Sequence, residues 1–273
     1  MFKVLILFIT IPISFISFIL KKKLIFFNLL SEKFENKLYL EKKILNENFK
    51  FYCPNRLIEW RINNFFSKEI ETIEWIDSFK GNDIIFWDIG ANIGNYSIYA
   101  AAKHKKNIKI FSFEPSTSNL RTLSRNISIN NLNNTISIIP IALGENFSIN
   151  SMNESIFKEG SALHSFSKNY DYRGKNFQIK NIYNTLGISI NKLIFNKILP
   201  IPNYIKLDVD GIEHLILQNA NILFKKNKTK EILVELNPSF KLQFNIVKKI
   251  MKKNNFYLKN KINKLGEYIF VSK

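Results

Sequence analysis

The chain has 273 residues, of which 46% are hydrophobic, enough for one large α/β domain with an appendage and too few for two domains of ordinary size. Its single cysteine, Cys53, excludes an internal disulfide and fits a reducing cytoplasm. The net charge of +18 raises nucleic acid as a partner, but lysine supplies nearly all of it and arginine is scarce, so a solvated face that tolerates an anionic membrane is preferred to a nucleic-acid groove.

From Val4 to Leu20 every residue is apolar, a hydroxyl or proline. These about 17 positions reach the lower limit for spanning a bilayer as a helix. Lys21-Lys22-Lys23 closes the stretch, and the first alanine of the chain is Ala91, so cleavage as a signal peptide is not expected. Pro12 and the apolar Leu24-Ile25-Phe26-Phe27 leave interfacial attachment as the alternative to a span. Residues 1–30 are therefore expected to anchor the chain to a membrane, with the lysines keeping the remainder on the cytoplasmic side.

Residues 31–80 read as a linker and leading helices. Within them, 31–50 alternate Lys and Glu like an exposed helix or linker, and Ser67 caps a helix over Glu69–Ile76. From residue 81 to 273 short apolar runs alternate with helical segments, as in a mostly parallel sheet covered on both faces. The expected strands are Ile84–Trp87, Ile108–Phe113, Thr135–Ile139, Tyr204–Leu207, Ile232–Glu235, Tyr257–Leu258 and Tyr268–Val271. Helices are expected over Ser97–Lys105, from Ser116 through Asn126, from Glu213, and over Phe240–Lys253. Residues 146–200, polar and rich in Ser and Asn, read as an inserted acceptor-binding region.

Ligands of an open parallel sheet bind beyond the carboxyl ends of its strands, and those positions are polar here. Asp88 and a turn bearing Gly90 and Gly94 follow the first strand; Glu114, suited to accept hydrogen bonds from both hydroxyls of a ribose, follows the second. A dinucleotide cradle would read G-x-G-x-x-G, whereas this turn has Asn92 in place of a glycine and an acid on the approach. An anion repels pyrophosphate and attracts the ammonium of a methionine moiety. The cofactor-binding set is Asp88, Gly90, Asn92, Gly94, Asn95, Glu114 and, past the third strand, Ala142.

The runs Phe86–Ser97, Phe113-Glu114-Pro115 and Ile205–Glu213 resemble the motifs of the FkbM family of methyltransferases, over approximately residues 55–271. The resemblance implies a Rossmann-like class I methyltransferase with a mostly parallel seven-stranded sheet and S-adenosylmethionine as methyl donor. It also implies O-methylation, commonly of sugar or polyketide-like hydroxyls. With the anchor-like N-terminus this favours a surface glycan or lipid-linked saccharide. A non-catalytic S-adenosylmethionine-binding protein and an NAD-dependent oxidoreductase are the rival readings.

In-line methyl transfer to an alcohol is helped by a general base or a metal. Asp208 and Asp210 follow the fourth strand, beside the expected sulfonium, and His214 lies four residues beyond Asp210, on one face of a helix if the helix starts there. Two acids are too few to define a metal site, so these three are read as catalytic without a metal, with Asp208 as base ahead of His214. His164, in the acceptor region, is a further candidate, and Glu213 and Glu235 are candidates for binding acceptor hydroxyls.

Overall fold

The computed structural model describes residues 2–19, 23–35, 37–262 and 266–273. It opens with α1 (Phe2–Ile19), which contains Pro12, and α2 (Lys23–Glu35). Leu20, Lys21 and Lys22, where the apolar stretch was expected to close, lie outside the described residues. Among the described residues no helix is long and apolar enough to cross a membrane. Phe8, Phe15 and Phe18 on α1 are nevertheless exposed.

The segment expected as an exposed helix or linker is instead, from residue 39 on, an antiparallel hairpin of β1 (Tyr39–Ile44) and β2 (Glu47–Tyr52). Its outward positions carry the charge, while Ile44, Phe49 and Phe51 turn inward, so the period-two signal is diluted by Lys and Glu. Then comes α3 (Arg56–Lys68), capped by the Asn55 side chain on the amides of Leu57 and Ile58. Next is α4 (Ile70–Asp77), which does not start from a Ser67 cap. Ser67 lies in the last turn of α3, its hydroxyl donating to Asn64 O (3.2 Å), and the helices meet at Glu69 with φ −135° and ψ 55°.

The domain core then follows in order: β3 (Ile84–Ile89), α5 (Asn95–His104), β4 (Ile108–Phe113), α6 (Thr117–Ile129) and β5 (Ile136–Ile139). β6 (Ala142–Leu143) follows, and the segment 146–200, expected as an insertion, contributes β7 (Ser148–Glu154), β8 (His164–Phe166), β9 (Asn181–Ile188) and α7 (Ile190–Phe195). The chain returns through β10 (Tyr204–Leu207), α8 (Glu213–Gln218), α9 (Asn221–Lys225), β11 (Glu231–Glu235), α10 (Lys241–Lys253), β12 (Phe256–Ile262) and β13 (Glu267–Ser272).

Seven strands form one sheet in the order β12-β13-β11-β10-β3-β4-β5. All run parallel except β13, which is antiparallel to both β11 and β12. This is the expected Rossmann-like class I methyltransferase sheet. Phe86 and Trp87 show why its centre is stable: neighbours in β3, they point to opposite faces, each is fully buried, and each joins a separate hydrophobic cluster. The strand order departs from the centre in both directions, β3 to β4 one way and β10 to β11 the other, leaving a crevice at the carboxyl ends of β3 and β10. A second sheet, β6-β9-β7-β8, packs Leu143, Met152 and Phe166 into the cluster on the Trp87 side.

Candidate active site

The crevice is a cavity, and the turn after β3 forms part of its wall. Gly90, at φ +86°, passes so close to β10 that a Cβ would stand 1.8 Å from the Asp208 carbonyl oxygen, so only glycine fits. Asn92 adopts φ +52°, a conformation Asn tolerates, and donates its N–H to Glu114 Oε2 (2.8 Å) and its amide Nδ2 to Ser161 O (2.7 Å). Glu114, at the end of β4, also accepts the Ser116 N–H (2.8 Å). Burial pushes its carboxyl up to about 8 against the pull of those amides. Beyond these two bonds the carboxyl keeps hydrogen-bonding capacity for a ribose hydroxyl.

Two of the expected cofactor residues stand off the cavity. Gly94 does not line it; at φ +90° it begins α5, and a Cβ there would be 2.6 Å from Leu123 Cδ1, so it serves the packing of α5 on α6. Asp88 does not line it either, because β3 continues to Ile89 and keeps Asp88 inside the sheet. There it is fully buried, accepts the Ser97 hydroxyl (2.6 Å) and pairs in register with Lys206. The other expected positions, Gly90, Asn92, Asn95, Glu114 and Ala142, do line the cavity.

Beyond Glu114 the lining turns apolar, with Phe113, Ile141, Leu143, Met152 and Phe166 around Ala142. Phe166 needs Gly187 beneath it, since a Cβ there would meet its ring at 2.3 Å. The segment 146–200 therefore closes an apolar slot next to a carboxylate as well as facing the remaining cavity. This arrangement fits S-adenosylmethionine: a slot for adenine, Glu114 for the ribose, and the Asn92 and Asn95 Oδ1 atoms for the methionine ammonium. Both of those buried oxygens lack a hydrogen-bond partner within the protein.

At the end of β10 the acids divide in character. Lys206, 1% exposed inside a central strand, donates to Asp208 Oδ2 (2.6 Å), and its Nζ lies 4.9 Å from the centroid of the Tyr96 ring. Asp208 and Asp88 hold the Lys206 ammonium charged against its burial. Against its own desolvation, Lys206 drives Asp208 down to about 2, while the half-buried Glu235, desolvated and facing Asp208, is pushed well up and shares a hydrogen bond with it. Asp210 sits at φ +60°, its Oδ2 accepting the amides of Leu163 (2.8 Å) and His164 (3.4 Å). Burial and the neighbouring Asp208 raise it to about 6.

His214 does not join this group. The helix starts at Glu213, so Asp210 lies before it and the expected shared face does not form. His214 is buried away from the cavity, with its ring centroid 5.8 Å from that of Phe240. Glu213 is also buried, accepting the amides of Val209 (2.9 Å) and Gly211 (3.1 Å), so it holds the Asp210 turn and does not line the cavity. His164 does line it, with Nε2 2.8 Å from the Ser161 hydroxyl, and burial lowers its basicity. Among the described residues no three His, Cys, Asp or Glu side chains gather as a metal site.

Several lining residues escaped the sequence reading. A lysine in the apolar run Ile205-Lys206-Leu207 was the available signal, since a central strand cannot solvate an ammonium and an acid must be near. Trp60, Arg61, Asn64, Lys68 and Glu69 line the cavity from α3 and its end, a segment read only as linker and leading helices.

Residues 88–258 match the family model described as the methyltransferase FkbM domain. The chain belongs to the FkbM methyltransferase family. Residues 88–258 are accordingly a methyltransferase domain of that family. Among solved structures, methyltransferase FkbM from Methylobacillus flagellatus KT is similar at 16% identity and TM-score 0.48, over 71% of this chain and 45% of that one. The FkbM-family chain described here thus spans less than half the length of that protein. Precorrin-6y C5,15-methyltransferase from Geobacter metallireducens GS-15 is similar at 12% identity and TM-score 0.43, over 75% of this chain and 87% of that one. TYW2 from M. jannaschii, solved with AdoMet, is similar at 14% identity and TM-score 0.40, over 86% and 84% of the respective chains. No curated protein matches the sequence.

Proposed function

We propose that this FkbM-family methyltransferase methylates a hydroxyl of a saccharide and that Asp210 takes the hydroxyl proton. The observation that carries the reading is the Asp210 carboxyl on the cavity wall, poised near 6 with one oxygen fixed by two backbone amides. A base is most effective when its pKa lies close to the working pH. Asp208, held ionised near 2 by Lys206, is a poor base; its permanent charge instead favours a cation beside it. We therefore assign the base to Asp210 in place of Asp208. When bound, S-adenosylmethionine supplies a methyl group activated by its sulfonium. The chain aligns the acceptor oxygen and receives its proton at Asp210, and His164, kept neutral by burial, is the next acceptor along the wall.

We further propose that residues 1–30 attach the chain to the cytoplasmic face of a membrane, so that the saccharide is lipid-linked. Exposed phenylalanines on α1 and the lysines at 21–23 support this reading. Incubation with methyl-labelled S-adenosylmethionine and saccharide acceptors tests the reaction. Label in an alkali-stable methyl ether supports it. Label in an ester or amine, or no transfer by protein that binds the donor, overturns it.

A further inference from the structure

Three tryptophans occur in the chain, and they differ sharply in environment. Trp75 and Trp87 are 3% and 0% exposed, whereas Trp60 is 47% exposed. Among the described residues it is the only exposed large hydrophobic side chain that lines the cavity. Helical periodicity puts it there. Ile58, Ile62 and Phe65 bury one face of α3, while Trp60, Asn64 and Lys68, four residues apart, form an adjoining stripe along the cavity.

The charges around this ring specify what it can take. Two of the cations in the cavity wall are paired with an acid, Lys206 with Asp208 and Lys68 with Glu69 (2.8 Å), and Arg61 donates its Nε to Gly160 O. Glu69, Asp208, Asp210 and Glu235 line the same cavity, so acids outnumber bases although the whole chain is strongly basic. The carboxylates beside the platform repel an anion placed against them. A neutral ligand with several hydroxyls would instead find hydrogen-bond acceptors around the platform. Lys68 Nζ stands 5.9 Å from the centroid of the Trp60 ring on one side, and on the other the negative side of the indole quadrupole attracts the positively polarised C–H face of a saturated ring.

We propose that Trp60 is the platform of the acceptor subsite, stacking a neutral pyranose whose hydroxyls donate to the carboxylates beside it. The proposal rests on the saccharide reading above and adds where and how the sugar is held. Tryptophan emission gives a readout besides activity, because Trp60 alone of the three is exposed. The experiment titrates the full chain, saturated with S-adenosylhomocysteine, with neutral methyl pyranosides and disaccharides, using phenols as planar aromatic competitors. A saturable emission change with glycosides, absent in Trp60→Phe, supports the proposal. So does a rise of roughly tenfold or more in saccharide KM in Trp60→Ala, at unchanged S-adenosylmethionine affinity and with partial recovery in Trp60→Phe. Normal saccharide KM in Trp60→Ala overturns the subsite and leaves the saccharide reading standing. Response and methyl transfer to phenols alone, with none to glycosides, overturns both.

Discussion

Asp208 and Asp210 are two residues apart, yet Lys206 makes one a fixed charge and leaves the other titratable. Asp210→Asn is expected to bind S-adenosylmethionine normally and lose roughly 10²–10⁴-fold in kcat, measured by donor binding and turnover on the same preparation. Because a base works only when ionised, kcat/KM of the wild type should climb as pH rises through about 6 and then level off, a limb that Asp210→Asn removes. Asp208→Asn should differ by lowering thermal stability too, since it removes the acceptor of the buried Lys206 ammonium. Glu114→Ala is expected to weaken donor binding by about 1–3 kcal/mol, seen by calorimetric titration, because it removes the ribose partner beside the apolar slot.

Elements differed in how openly the sequence announced them. The strands of the large sheet were legible because a parallel sheet covered on both faces demands continuous apolar runs, as in Ile84-Ile85-Phe86-Trp87. Gly90, Asn92 and Glu114 were legible as polar or glycine positions at strand ends. Asp88 was misplaced because the strand extends two residues past the apolar run that ends at Trp87, and His214 because the helix begins three residues after Asp210. The hairpin at 39–52 and the strands β7 and β9 hid behind charged or Ser- and Asn-rich outer faces. Their inner residues, such as Phe51 and Met152, bury only through tertiary contacts that local patterning does not encode. At this scale α1 and α2 carry a prediction of their own: deleting residues 1–30 should release the protein from membranes in fractionation while leaving donor affinity unchanged. Membrane retention of the truncated chain would move the attachment to another surface.

Across the whole molecule, buried carboxyls couple stability to pH. Burial raises Glu114 and Glu213 to about 8 and Glu267 to about 7, from 4.5. Between those values the folded chain holds protons that the unfolded chain has released, so these groups make stability fall as pH rises. The thermal midpoint should therefore be higher near pH 5.5 than near about pH 8, and a rise over that interval would mean that these carboxylates are ionised in the folded state. The same molecule joins a basic exterior to an acid-lined cavity, which suits a cationic donor and a neutral acceptor held at a lipid surface. The most direct measurement is the fate of labelled methyl when the full-length protein is given S-adenosylmethionine and membranes bearing lipid-linked saccharide. The account predicts label in a methyl ether on the sugar, lost in Asp210→Asn. Label in protein or nucleic acid, or sugar methylation undiminished by Asp210→Asn, would contradict it.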